Sequence, residues 1–188
     1  MNYRILNFFK REDISMYQPG IINSKVAVAN IKGGPLRPQI TGVVWFRSVP
    51  GGTEVTALIA GLPPYQPGIN GKAPIGPHGF HIHQNGNCEV GNPAEPFKAA
   101  GEHWNPHNQP HGNHAGDFPV LFSNNGIARM TFFTNKFTVD DCIGKAVIIH
   151  ESPDDYRTQP AGDAGKRLAC GVIQPTNYGG AARCPYYY

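Results

Sequence analysis

The chain has 188 residues, of which 40% are hydrophobic and 15% charged, with a formal net charge of +3. This length suits one ordinary domain with a real core. No Lys/Arg run and no apolar run of about 20 residues occurs, which argues against nucleic-acid binding and against a membrane span. The 23 glycines and 18 prolines alternate with compact apolar runs, which favours an all-β fold with long loops over disorder.

The first segment, residues 1–23, has no hydrophobic period and is predicted to be an N-terminal arm. Its apolar run at 5–9 is shorter than the about 7–15 residues of a secretory signal core. We therefore expect a cytoplasmic location by default, and export or a surface location stay open as alternatives.

Seven segments are rich in β-branched and apolar residues and are separated by turn residues, so each predicts a strand. They are 25–31, 40–47, 54–62, 79–84, 127–133, 144–150 and 167–173. The connections 62–77, 85–125 and 151–166 predict long loops, and no stretch of useful length has helical periodicity. We predict one domain at 24–174, followed by a C-terminal tail at 175–188.

The histidines are concentrated in one region, since seven of the eight fall between His78 and His114. His81 and His83 lie two apart on a predicted strand, so their side chains share one face. Phe80 and Ile82 then point the opposite way, into the core. The pattern offers two imidazoles to one ion, although it also occurs on many surface strands.

The long polar loop carries a second candidate set of metal ligands. Three imidazoles and one carboxylate form a four-coordinate set suited to zinc: His103, His111, His114 and Asp117. A loop with so few apolar residues gains little from burial, and bound zinc would offset its ordering entropy. A solvated polar loop is the alternative.

His150 is the one histidine outside this region, and it ends an apolar predicted strand. An imidazole buried there needs a partner. Together with His81, His83 and one further imidazole it would form a nitrogen set, which copper favours in tetragonal geometry.

Five motifs follow one another in a distinctive order. They are GFHIH at 79–83, GEHWNP at 101–106, HAGD at 114–117, HESPDD at 150–155 and AGKRLACGV at 164–172. This series resembles that of the copper/zinc superoxide dismutases over about residues 25–173. The resemblance implies a Greek-key, immunoglobulin-like antiparallel β-sandwich or barrel with long metal-binding loops. It also implies dismutation of superoxide to oxygen and hydrogen peroxide, by alternate reduction and reoxidation of copper.

The resemblance assigns roles to individual residues. It implies copper on His81, His83, His103 and His150, and zinc on His103, His111, His114 and Asp117, so that His103 bridges the two ions. Asp154 matches the carboxylate that accepts hydrogen bonds from one copper ligand and one zinc ligand, His81 and His111. Arg167 matches the arginine that holds the anionic substrate beside copper.

The cysteines and the two remaining histidines complete these expectations. Cys88 and Cys170 match the disulfide of the family, whereas Cys142 and Cys184 have no counterpart in it. His78 and His107 are interpreted as loop residues that bind no metal.

Three other hypotheses stay open at this point. A catalytically inactive, zinc-only or copper-buffering relative would have lost a copper ligand or the arginine, and all of these are present. A copper-chaperone domain would need a C-x-x-C module, which the sequence lacks. A structural surface protein is supported only by the arm and the tail. We expect superoxide anion as the small-molecule partner, no nucleic acid or membrane partner, and a homodimer.

Overall fold

The fold is described for residues 25–176, in a computed structural model. This part of the chain forms seven strands, each in a segment where the sequence predicts one. They are β1 Val26–Gly33, β2 Thr41–Val49, β3 Gly52–Ala60, β4 Phe80–His83, β5 Ala128–Thr134, β6 Ala146–His150 and β7 Arg167–Pro175. Strand β7 runs two residues further than predicted because Gln174 and Pro175 pair with Val28 and Ala27 of β1. The predicted arm and all of the tail beyond residue 176 lie outside the described residues.

The strands form one curled antiparallel sheet in the order β4-β6-β7-β1-β2-β3-β5. The prediction of an all-β antiparallel fold with long loops is therefore confirmed. Helical structure between residues 25 and 176 is limited to a 3-10 turn at Lys98–Ala100 and a four-residue helix, α1, at Val139–Cys142. No helix in this range is long and apolar enough to cross a membrane.

The main core lies inside the curl of the sheet and follows the two-residue period of the strands. In β3, Val55, Ala57 and Ile59 are fully buried while the residues between them are partly exposed. Phe46 of β2 and Ile31 of β1 belong to the same buried cluster. Burying one such large apolar side chain stabilises the fold by about 1.5–3 kcal/mol, so this face fixes which side of each strand points inward.

Strands β4 and β6 differ from the others because every residue in them is buried. Phe80 and Ile82 of β4 enter the main core, as predicted, and His81 and His83, which alternate with them, face the opposite side. On that side Ile148 of β6 packs in a second cluster with Phe97 and Cys170. The long loops therefore cover the outer face at this end of the sheet.

Backbone hydrogen bonds hold the long loop beside β4. Trp104 N donates to Ile82 O at 2.8 Å, and Ile82 N donates to Gly116 O at 2.9 Å. The Cys88–Cys170 disulfide, with its Cα atoms 5.7 Å apart, joins the same loop to β7. Cys142 is instead a buried free thiol, and burial raises its pKa to about 12. Polar loop segments are thus placed along the free edge of β4, the edge opposite β6.

Candidate metal centre

The structure brings together the histidines and the aspartate that the sequence singles out. Within each of two groups, the potential ligand atoms all lie within 4.8 Å of one another. The first group is His81, His83, His103 and His150; the second is His103, His111, His114 and Asp117. His103 belongs to both, so a single imidazole separates two adjacent candidate metal sites.

The first group combines strand and loop residues. His81 and His83 project from the outer face of β4, and His150 ends the neighbouring strand β6. A backbone bridge between His83 and His103 brings the loop imidazole to this face. All four imidazoles are at most 4% exposed. The alternation of β4 therefore places two apolar residues in the core and two candidate nitrogen ligands opposite.

Hydrogen bonds fix the ring tautomers of His83 and His150. The Nδ1 of His83 lies 2.9 Å from Gly101 O, and the Nδ1 of His150 lies 3.3 Å from Gly165 O. A carbonyl only accepts, so each Nδ1 carries the proton and each Nε2 presents a lone pair. The two Nε2 atoms are 3.3 Å apart. Two facing lone pairs repel one another, and a metal ion between them would turn this repulsion into ligation.

Asp154 fixes one imidazole in each group. Its Oδ2 lies 2.6 Å from His81 Nε2, and its Oδ1 lies 2.9 Å from His111 Nε2. An ionised carboxylate only accepts, so both Nε2 atoms are protonated and both Nδ1 atoms present lone pairs. The Asp154 side chain is fully buried, which keeps water from replacing it. One carboxylate therefore orients rings in both candidate sites.

The second group is built around Asp117. Its Oδ2 accepts hydrogen bonds from the backbone amides of Gly112 at 2.8 Å and His114 at 2.9 Å. Its Oδ1 lies 2.9 Å from His103 Nδ1 and 3.3 Å from His114 Nδ1. The short segment from His111 to His114 thus wraps the carboxylate, and Oδ2 also lies 3.3 Å from His111 Nδ1, so both oxygens lie near imidazole nitrogens.

The pKa values describe groups in the protonation states that bind metal. Burial lowers the pKa of His81 and His83 well below the usual value and that of His150 to about 3. Burial alone would raise the pKa of Asp117, but the hydrogen bond from His103 and the backbone hydrogen bond from His114 hold it well below its usual range. His81, His83 and His150 are therefore neutral and Asp117 is ionised at neutral pH, as ligation requires.

Unpaired nitrogens test whether these residues fit a metal. Four buried ligand-group nitrogens have no hydrogen-bond partner within residues 25–176: His81 Nδ1, His103 Nε2, His111 Nδ1 and His114 Nδ1. Leaving a buried polar atom unpaired costs about 1–3 kcal/mol, and such atoms are rare in folded proteins. These four nitrogens belong to the two ligand groups. The first group offers only nitrogen donors, which fits copper, and the second offers three nitrogens and one oxygen, which fits zinc.

Arg167 lies at the start of β7, beside the first group. Its Nη1 donates to Phe97 O and its Nη2 to Gly101 O, both at 2.7 Å. The Gly101 carbonyl also accepts from His83, so it connects the guanidinium to the imidazoles. Burial lowers the pKa of Arg167, yet a guanidinium titrates so far above neutrality that it stays charged.

Two residues near the site carry contacts that sequence reasoning missed. His78 is buried, and its Nδ1 lies 2.8 Å from the carbonyl of His150, next to an irregularity in the β6–β7 ladder. The phenol of Tyr156 accepts from Val120 N at 2.9 Å, while its own amide donates to Asp154 Oδ1 at 2.7 Å. No sequence pattern marks either contact. His78 and the exposed His107 lie outside both ligand groups.

The known proteins that resemble this chain are copper/zinc superoxide dismutases. The family model described as copper/zinc superoxide dismutase (SODC) matches residues 40–173, so the chain belongs to that family. The Cu-Zn superoxide dismutase of Deinococcus radiodurans is 38% identical over 156 residues, covering 74% of this chain and 80% of the relative. That of Legionella pneumophila is 34% identical over 163 residues, covering 82% and 93%. The solved Cu/Zn superoxide dismutase from Brucella abortus superposes with a TM-score of 0.64 at 28% identity, covering 79% of this chain and 99% of that one.

Proposed function

We propose that the protein converts superoxide into oxygen and hydrogen peroxide at a copper site next to a zinc site. Copper would be held by His81, His83, His103 and His150, and zinc by His103, His111, His114 and Asp117. The observation that carries the proposal is the position of His103. Its Nδ1 faces Asp117, its Nε2 is buried without a partner, and it belongs to both ligand groups.

Copper bound in the first group would supply one-electron chemistry, taking an electron from one superoxide and passing it to a second. The protein supplies protons and orientation. Formation of peroxide consumes two protons, and His103 Nε2 is a buried nitrogen able to hold one of them at the reacting end of the site. In the structure Asp117 lies against Nδ1, and zinc held by both residues would keep the ring in place, so that Nε2 would be presented in each cycle.

Arg167 would hold the anionic substrate. Its guanidinium is fixed by two backbone carbonyls, and Gly101 places it beside His83. A fixed cation in a partly dry environment attracts a small anion more strongly than one in bulk water. The net charge of +3 adds a weak attraction for the same anion.

The alternative, a catalytically inactive metal-binding relative, receives no support. Each imidazole of the first group and Arg167 is present, and the relatives found bear the name of the active enzyme. The homodimer and the cytoplasmic location remain predictions, which light scattering and cell fractionation would test.

Metal analysis coupled to a superoxide-removal assay tests the function. We expect about one copper and one zinc per chain and rapid removal of superoxide. Arg167→Ala should lower the rate roughly tenfold, as expected for loss of one charged contact, and should weaken its salt dependence while both metals stay bound. Arg157→Ala, at an exposed position, is the control. A fully loaded protein that leaves superoxide untouched would refute the function, and unchanged kinetics in Arg167→Ala would refute the role of that residue.

A further inference from the structure

Both hydrogen-bond acceptors of Arg167 lie on one short turn. Phe97 immediately precedes the 3-10 turn at Lys98–Ala100, and Gly101 immediately follows it. Their carbonyls accept from Nη1 and Nη2 respectively. The Phe97 carbonyl also accepts from Ala100 N at 3.1 Å. The turn therefore holds the guanidinium at two nitrogens, and the backbone conformation of the turn determines the orientation of the guanidinium.

Phe97 adopts a conformation that a bulky residue seldom takes. Its φ is 64° and its ψ is 22°, in the left-handed region where a side chain crowds its own backbone. Such a conformation persists only where surrounding contacts hold it. Any loosening of those contacts would let Phe97 rotate back to a common conformation and would turn its carbonyl away from Arg167.

The contacts that hold Phe97 are made by its ring. The residue is 3% exposed and packs in the second cluster with Ile148 and the disulfide-bonded Cys170. The ring also packs closely against Gly34, because a Cβ there would lie 2.6 Å from the ring atoms Cε2 and Cζ. Gly34 N also donates to Leu168 O at 2.8 Å, next to Arg167 in the chain. The ring therefore packs against a residue that is hydrogen-bonded to the strand segment carrying the arginine.

We propose that Phe97, seated against Gly34, is the positioning residue that orients the guanidinium of Arg167 for the anionic substrate. The substrate part of this inference rests on the proposed function of Arg167. The orientation part concerns the side chain itself. It is a property of the folded protein that can be measured without turnover.

The test measures rotation of the Arg167 guanidinium about its Nε–Cζ bond by ¹⁵N NMR, in metal-loaded protein reduced to the diamagnetic state. Native protein should show slow rotation, because both Nη groups are held. Phe97→Ala should speed rotation about tenfold, the factor for loss of one charged hydrogen bond. Phe97→Leu, which refills most of the pocket, should restore slow rotation, and Lys98→Ala, exposed on the same turn, should leave it unchanged.

Gly34→Ala provides a second variant that keeps Phe97 itself and displaces its ring. It should also speed rotation, and it decides the question if Phe97→Ala does not fold with both metals. Native-like rotation in a folded Phe97→Ala or, in its place, in Gly34→Ala would overturn the proposal. Superoxide removal measured on the same samples separates the two inferences. Fast rotation with full activity in Phe97→Ala, together with full activity in Arg167→Ala, would refute only the role of Arg167 in the reaction.

Discussion

Replacement of Asp154 by asparagine should weaken metal binding in a specific way. The two carboxylate oxygens accept from His81 Nε2 and His111 Nε2, at 2.6 and 2.9 Å. An amide keeps one acceptor oxygen but points its NH₂ group at the other ring, where two donors then face each other. One imidazole must flip or break its contact, and its Nδ1 is no longer presented to the metal.

The size of the effect follows from burial. The side chains of Asp154 and both imidazoles are fully buried, so a displaced N–H finds no water to replace its partner. An unsatisfied buried donor costs about 1–3 kcal/mol, which corresponds to roughly 5- to 150-fold in a binding constant. Removal of groups that orient metal ligands typically costs 10- to 100-fold in affinity. We expect a loss in that range for at least one of the two metals.

Competition with a chelator of known affinity, with copper and zinc titrated separately, measures this loss. Asp163→Asn is the matched control, since Asp163 is exposed and has a positive φ of 51° that asparagine tolerates. Native affinity for both metals in Asp154→Asn would show that the bridging carboxylate does not orient the rings, and the reasoning would fail.

Three further changes test other parts of the site. Gly162→Ala should lower zinc affinity because its Cβ would lie 1.9 Å from Asp154 Oδ1. Gly91→Ala is the control, since Gly91 has a similar positive φ but no atom within 4 Å of an added Cβ. Equal zinc affinities of the two variants in a chelator assay would contradict this prediction. Cys88→Ser should lower the free energy of unfolding in urea by up to about 4.5 kcal/mol, since it opens a covalent loop spanning 82 residues. An unchanged urea midpoint would argue against that stabilisation. Metal-free protein should lose stability as the pH falls from about 6.5 toward 3. Burial lowers the pKa of His150 to about 3 in the folded protein, so the unfolded chain takes up a proton first and is favoured. A free energy of unfolding, measured by urea titration, that stays constant over this pH range would contradict the prediction.

Much of the framework is legible in the sequence because periodicity carries it. The two-residue alternation around Ile82 predicts which side chains enter the core and which face the loops, and the structure agrees. Strand positions are likewise predicted to within a few residues. Strand ends are less predictable, since Pro175 belongs to β7 only through pairing with β1.

The loop contacts could not be predicted from periodicity. The carbonyls of Phe97 and Gly101 that hold Arg167, and the contact of His78 with the His150 carbonyl, depend on backbone conformations set by distant packing. Loops lack a repeating pattern, so only resemblance to a family could associate His103 with both ligand groups.

The alternation in β4 has a consequence for how the chain finds its pairing. If β4 slipped by one residue along β6, His81 and His83 would enter the apolar interior, and Phe80 and Ile82 would take their places at the candidate metal centre. That misaligned state would bury polar rings among aliphatic groups and could not capture an ion. Two unrelated forces, exclusion of water and metal chelation, therefore penalise the same folding error, which makes ion uptake a sensitive indicator of correct strand alignment.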